Sequence, residues 1–396
     1  MNCRLKILLK LFCAFIVLAH CLNLSAQYVA KPVFNVDSMV EKKMATMGMV
    51  GVGAAIIVNK KVVWQKGYGY ADMRNKIPFT PETIMNIASI SKVVTGACLM
   101  KAVELGKLSL DEDINNYLPF KIVNPYFAGE KITLRMLATH TSGLADRYPF
   151  YTDSTYFNGK DSPEALGDFL KQYFVPGGKY YTRENFLHYK PGTYRDYSNI
   201  GAGLAGYILE LRTGEKLNDF SRRYIFKLLK MENTGWFLSE IDTGHHSKLY
   251  AKQGESIKEI SLYGVTTYPD GGLRTSVSEL SKFFIALLNH GVYKGIRILK
   301  RTSVDEMLRL QFTESNKPEN VHPDQLNSGV FWATKMGGSR IGHNGSDPGV
   351  RTFMLSDLAK EIGIVLFVNT SLSEKEEHVY FDMYNELYKY AKTLEK

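Results

Sequence analysis

Strand-forming sequence in this chain is confined to its two ends, with helical sequence between. Residues 51–58 (GVGAAIIV) and 61–70 read as two strands joined by a tight turn at Asn59-Lys60. Strand-like runs return only at 330–335, 339–341, 351–355 and 362–369. The economical arrangement is one antiparallel sheet completed by both chain ends, with helices packed on it. The predicted fold class is therefore α/β in the α+β sense. A sheet subdomain takes about 27–105 and 265–396, and a mostly helical insert takes about 106–264.

The 396 residues are 45% hydrophobic and 22% charged, which excludes a disordered chain, a collagen-like fibre and a polytopic membrane protein. Lys and Arg number 49 against 40 Asp and Glu, a net charge of +9. Three of the cations, Arg4, Lys6 and Lys10, lie in the first ten residues and the first 26 contain no acid, so the bias over the rest of the chain is mild. No run of five Lys or Arg occurs, and a nucleic-acid partner has no support.

The basic residues 1–10, the apolar run 11–19 (LFCAFIVLA) and Leu24-Ser25-Ala26 have the layout of a secretory signal peptide, residues 1–26. The expected location is periplasmic or secreted. No integral membrane domain is expected after signal removal, because the run is too short to span a bilayer comfortably. A lipid on Cys21 is the alternative, weakened by His20 where a small residue belongs. Cys3, Cys13 and Cys21 would leave with the signal, so Cys98 would remain as a buried small hydrophobe with no disulfide partner.

Residues 89–105 predict a helix closed by Gly106 and apolar on nearly every side, hence buried. Ser162-Pro163-Glu164 predicts a helix start, and 198–212 a helix ending at Gly214. Ser276 and Glu279 form a capping box for a helix over 277–289, and 374–394 predicts a final amphipathic helix.

Three short patterns can carry chemistry. In Ser89-Ile90-Ser91-Lys92, residues three apart share a helix face, so the hydroxyl and the amine can touch. Apolar surroundings and the helix N-terminus are expected to depress the Lys92 pKa, so that the amine can take the serine proton. In Tyr197-Ser198-Asn199, the phenol can relay a proton and the amide can hold a substrate carbonyl or fix Lys92. In His343-Asn344-Gly345, expected between two strands, Gly lets a substrate lie close and nearby N–H groups can complete an oxyanion hole. No nucleophile elbow, zinc helix or phosphate loop is present, and no metal or cofactor is expected. His140, in Thr139-His140-Thr141-Ser142-Gly143-Leu144, reads as part of a structural turn.

In this order the three patterns resemble the penicillin-recognising serine hydrolases, most closely the class C beta-lactamase-like group of beta-lactamases, D-alanyl-D-alanine carboxypeptidases, D-amino-acid peptidases and esterases. The resemblance covers about 35–390. It is carried also by residues 79–92, 133–144, 191–199, 269–276 and 342–352. It implies an alpha/beta domain with an all-α subdomain and the site between them. It also implies an acyl-enzyme with Ser89 as nucleophile, Lys92 and Tyr197 as proton partners, and Asn199 positioning substrate. The N–H groups of Ser89 and Ser346 would form the oxyanion hole, with His343 and Gly345 lining the substrate strand. Which of Lys92 and Tyr197 takes the proton stays open.

Beta-lactamases carry Lys-Thr-Gly where this chain has His343-Asn344-Gly345. Histidine is mostly neutral at pH 7.5 and largely cationic near pH 5.5 when unperturbed. That departure moves weight from beta-lactams toward esters, amides or short peptides as the small-molecule substrate. The alternative is a slow-turnover penicillin-binding sensor or cell-wall protein, and a true beta-lactamase stands third.

Overall fold

The structure, a computed structural model, describes residues 35–254 and 256–395. The expected signal peptide, residues 1–26, lies outside the described residues. The chain divides into a short unit, Met1–Ser38, and a main unit, Met39–Lys396, which holds everything that follows.

Seven strands form the principal sheet: β1 (Gly51–Val58), β2 (Lys61–Asp72), β3 (Ile77–Pro78), β4 (Ala333–Lys335), β5 (Arg340–Asp347), β6 (Val350–Asp357) and β7 (Ile362–Val368). Their order is β4-β5-β6-β7-β1-β2-β3, with every pairing antiparallel. Both chain ends thus complete one sheet, as the distribution of strand sequence requires. β1 pairs with β7 from Val52↔Val368 to Val58↔Ile362, and both strands are buried throughout. Central strands covered on both faces read as continuous apolar runs, which is what GVGAAIIV is.

The principal helices of the site and sheet are α1 (Ser91–Glu104), α2 (Asn199–Thr213), α3 (Val277–Leu288) and α4 (Glu374–Thr393). Alternation along the strands separates the two faces. Gly363 lies under Phe284 of α3, close enough that a methyl group there would meet the ring at 2.8 Å. Leu366 and its partner Phe353 belong to the other face, where Tyr380 of α4 stacks on Phe353 at 4.4 Å between ring centroids. α1 buries Val93, Val94, Ala97, Cys98 and Leu99 in the core, while its Ser91, Lys92 and Thr95 side chains bond to residues 269–273.

Several local expectations are corrected. The helix predicted from Ser162 begins at Leu166, because Ser162 Oγ caps Glu164 N (3.1 Å) and bonds Thr266 Oγ1 (2.8 Å) instead. Ser276 does cap α3 at Glu279 N (3.2 Å), but the Glu279 carboxylate turns to Asn233 N (3.1 Å) and Thr234 Oγ1 (2.6 Å), so the reciprocal half of the box is missing. The run at 330–335 is a strand only over Ala333–Lys335, since Phe331 takes φ +49°. The middle of the chain is not all-α. It also holds the strand Tyr156–Asn158 paired with Tyr263–Val265, and the hairpin Leu249–Gln253 with Ser256–Ile260.

Candidate active site

Ser89 does not sit in regular α-helix, as the sequence suggested. It occupies a 3-10 turn, Ala88–Ile90, from which α1 continues at Ser91. Ala88 has φ +49°, a conformation that costs a non-glycine residue roughly 1–3 kcal/mol and persists only when its surroundings enforce it. Here they do. Ala88 N donates to Asn86 Oδ1 (2.6 Å), and Ser91 Oγ donates to Ala88 O (2.6 Å) while accepting from Leu273 N (3.0 Å). Thr352 Oγ1 donates to Ile87 O (3.0 Å). The turn is thereby tied to β6 and to the segment after Asp270, and Ser89 is presented to a cavity of about 1120 Å³.

Lys92, one turn further, is completely buried. Its Nζ donates to Ser89 Oγ (3.1 Å), Asn199 Oδ1 (2.6 Å) and the Asp270 carbonyl (2.8 Å), and lies 4.0 Å from Asp270 Oδ1. Three such neighbours match the three N–H bonds of an ammonium. Burial alone would lower the Lys92 pKa, but the Tyr197 oxygen and the Asp270 and Asp146 carboxylates outweigh it and hold it above the ordinary lysine range. The expected depressed lysine is therefore corrected: the buried charges facing it are negative.

Tyr197 and Asn199 arrive on the N-terminus of α2, where Ser198 is the cap. Asp146 organises that end: its carboxylate accepts from Asn199 N (2.7 Å), Ile200 N (3.0 Å) and Ser198 Oγ (3.1 Å). A carboxylate there also meets the positive end of the helix dipole. Asn199 Nδ2 donates to Tyr148 Oη (2.8 Å), which fixes its oxygen toward Lys92. Tyr197 lies with its ring centroid 5.0 Å from Lys92 Nζ, and its buried hydroxyl has no hydrogen-bond partner among the described residues. His140, read from sequence as structural, packs on the Tyr197 ring at 4.3 Å, and its Nδ1 accepts from Ser198 N (3.2 Å). It is a positioning residue for the tyrosine.

The third pattern lies inside β5 rather than between strands. β4 pairs with β5 only from Arg340 to Gly342, while β6 pairs along its full length. The edge from His343 to Asp347 is thus left open on the cavity side. Gly345 lets this edge approach the serine turn: a Cβ there would stand 2.5 Å from Ile87 O and 3.0 Å from Ala88 Cβ. Ser346 is exposed at the cavity wall, beyond that contact.

His343 is buried, and its Nδ1–H donates to Asn344 O (2.6 Å). Burial first, then the cations Lys335 and Lys92, push its pKa well below the ordinary histidine value. The expectation that His343 becomes cationic near pH 5.5 is corrected: it stays a neutral imidazole with Nε2 as acceptor. The cation near it is Lys335, at the end of β4, which also lines the cavity. Burial lowers its pKa to about 8.

Sequence reasoning thus placed Ser89, Lys92, Tyr197, Asn199, His343, Gly345 and Ser346, and the structure brings all seven around one cavity or its wall. It missed Asp146, Asp270, Lys335 and Asp347. Asp270 lay in a stretch already singled out, 269–276, and Asp347 follows the third pattern directly. Among the described residues no group of three or more His, Cys, Asp or Glu side chains is placed to hold a metal, and no helix is long and apolar enough to cross a membrane.

This chain joins a sheet completed by both its ends to a serine turn with a lysine and a tyrosine behind it. It belongs to the beta-lactamase family, whose model, described as Beta-lactamase, matches residues 36–383. Protein flp of Staphylococcus aureus (strain MRSA252) is 25% identical over 340 residues, 84% of this chain and 62% of flp; this chain therefore spans less than two thirds of that relative. The octameric penicillin-binding protein homologue from Pyrococcus abyssi superposes with a TM-score of 0.67 at 26% identity, over 86% of this chain and 74% of its own. A D-amino acid amidase from Ochrobactrum anthropi SV3 shares the fold, with a TM-score of 0.71 at 21% identity over 91% and 99% of the two chains.

Proposed function

We propose that this chain is an exported serine hydrolase that forms an acyl-enzyme on Ser89 and cleaves amide or ester bonds of small or short-peptide substrates. The observation that carries this reading is the Ser89 Oγ–Lys92 Nζ contact of 3.1 Å at the wall of a 1120 Å³ cavity, with Tyr197 and Asn199 beside it. The family's amidase and penicillin-binding neighbours support the same reaction class.

Ser89 Oγ bonds to the acyl carbon as its proton passes into the Lys92–Tyr197 pair. The pair accepts that proton when it holds one fewer than its full complement. The tetrahedral oxygen is met by the N–H groups of Ser89 and Ser346. The carbon–leaving-group bond then breaks, the leaving group takes the proton from the pair, and water repeats the sequence to free Ser89.

A fluorophosphonate probe followed by mass spectrometry tests the assignment. The adduct is expected on the peptide containing Ser89 and absent from Ser89→Ala, and unchanged labelling of that variant would refute it. Time courses with p-nitrophenyl acetate separate a cycling enzyme from a sensor, which gives one burst and stops. Export predicts that protein isolated from its native host begins near Gln27, whereas an intact Met1 or a lipid on Cys21 contradicts soluble secretion.

A further inference from the structure

One carboxylate in the cavity is used by none of these steps. Asp347 ends β5 and lines the cavity with Ser89. Its Oδ1 accepts from Tyr156 Oη (2.8 Å), but its buried Oδ2 has no hydrogen-bond partner among the described residues. Buried carboxylate oxygens are almost always hydrogen-bonded, because an unpaired one loses its hydration without compensation. The nearby Arg351 does not supply the bond. Its guanidinium donates to the carbonyls of Val350 (2.8 Å), Leu372 (2.9 Å) and Asp347 itself (3.4 Å), and its Nε lies 3.4 Å from Glu377. Burial first, and then Asp270, raise the Asp347 pKa to about 7, so a bound cation would be needed to keep it fully ionised at neutral pH.

Position decides what that cation is. Alternation puts His343, Gly345 and Asp347 on one face of β5, and Gly345 is the residue that touches the serine turn. Asp347 stands two residues further, about 7 Å along the strand. Its Oδ2 lies 3.6 Å from where a Cβ on Gly271 would be, a point itself 4.0 Å from the Ala88 carbonyl carbon. An acyl carbon and a carboxylate oxygen hydrogen-bonded to the ammonium on its α-carbon are about 5 Å apart, so such a site has to lie within one residue's reach of the nucleophile. The cavity wall adds two more carboxylates, Asp153 and Glu259, while Lys335 lies by His343, on the other side of Gly345. With Asp270 and Asp347 the lining carries four carboxylates against two cations, Lys335 and Arg351.

We propose that Asp347, braced by Tyr156, is a binding site for a free ammonium on the acyl part of the substrate, so that the preferred substrates are amides or esters of unblocked amino acids. The proposal rests on the Ser89 hydrolase reading. An ammonium there gains a charge-assisted bond from an oxygen that otherwise has none, close to the nucleophile. Acylating the amine removes the charge and adds bulk at the same point.

The test compares alanine p-nitroanilide, in both enantiomers, with its N-acetyl derivative at pH 7.5. The readout is the ratio of their kcat/KM values, in which any general loss of activity cancels. For the preferred enantiomer the wild-type ratio is expected well above one. In Asp347→Asn it should fall about 30-fold or more, the scale of losing one partner of a buried charge pair. Asp347→Glu should retain more of it than Asp347→Asn, and Asp347→Ser is a second neutral variant if Asn does not fold. A wild-type ratio at or below one, or a ratio unmoved in the neutral variants, overturns the proposal. So does p-nitrophenyl acetate turnover that needs Ser89 while neither anilide is cleaved, and that result leaves the hydrolase reading standing. Failure to turn over any of the three, or ester turnover that survives Ser89→Ala, overturns the hydrolase reading and this site with it.

Discussion

Gly345→Ala is the most direct probe of how the open edge of β5 is held against the serine turn. The added Cβ would stand 2.5 Å from Ile87 O and 3.0 Å from Ala88 Cβ, and would also meet Thr352 Oγ1. Ordinary Cβ contacts begin near 3.4 Å, so the strand and the turn must separate by about 0.9 Å. Neither side yields easily. The turn is held by Asn86, Ser91 and Thr352, and the strand is paired to β6 over its full length. A misplacement near 1 Å costs about 10²-fold in rate when catalytic groups must meet one acyl carbon. Overpacking of this kind destabilises by about 1–3 kcal/mol. The assay is kcat/KM for p-nitrophenyl acetate, with urea unfolding of the same samples to show that the variant is folded. A folded Gly345→Ala protein with wild-type kcat/KM would refute the claim that this edge and the Ser89 turn form one catalytic unit.

Lys92→Arg keeps the charge, but a planar guanidinium on a longer stem cannot meet Ser89 Oγ, Asn199 Oδ1 and the Asp270 carbonyl together, nor give up a proton. Turnover of the same ester should fall about 10²-fold or more, and near-wild-type turnover would mean that Lys92 acts by charge alone. His246 is buried, and burial first, then Arg274, lower its pKa to about 3, below the unfolded value near 6.5. The unfolded chain therefore binds one more proton between those values, so the His246 contribution is present above pH 6.5 and is lost as pH falls. Urea unfolding of wild type and His246→Asn between pH 6 and 4 should show the variant's stability falling less steeply, by about 1.4 kcal/mol per pH unit. Equal slopes would show that His246 protonates normally in the folded protein.

What the sequence determined by itself was local or periodic. Strand sequence at both ends required a sheet shared by both ends, and the apolar character of residues 89–105 on nearly every side required a buried helix, which the structure forms over Ser91–Glu104. Ser89 and Lys92 were legible because three residues of helix bring two side chains together whatever surrounds them. Ser198 and Gly214 marked the limits of α2 by cap chemistry, which also acts within a few residues.

Charge states and long-range partners were decided only by the tertiary structure. Lys92 was expected to lose its proton because its own helix is apolar. The fold instead brings up Asp270 and Asp146, 178 and 54 residues away in sequence, and the ammonium is retained. His343 was expected to titrate as an ordinary histidine, but burial beside Lys335 and Lys92 keeps it neutral. Asp347 shows nothing in the sequence beyond an acid after glycine and serine. Its Oδ2 is unpaired although Arg351 stands beside it, because that guanidinium bonds the main-chain carbonyls of Asp347, Val350 and Leu372 instead of the carboxylate. Local propensity depends on neighbours in sequence. The field at a buried atom depends on every group that packing brings within a few ångströms, and that set exists only in the folded chain.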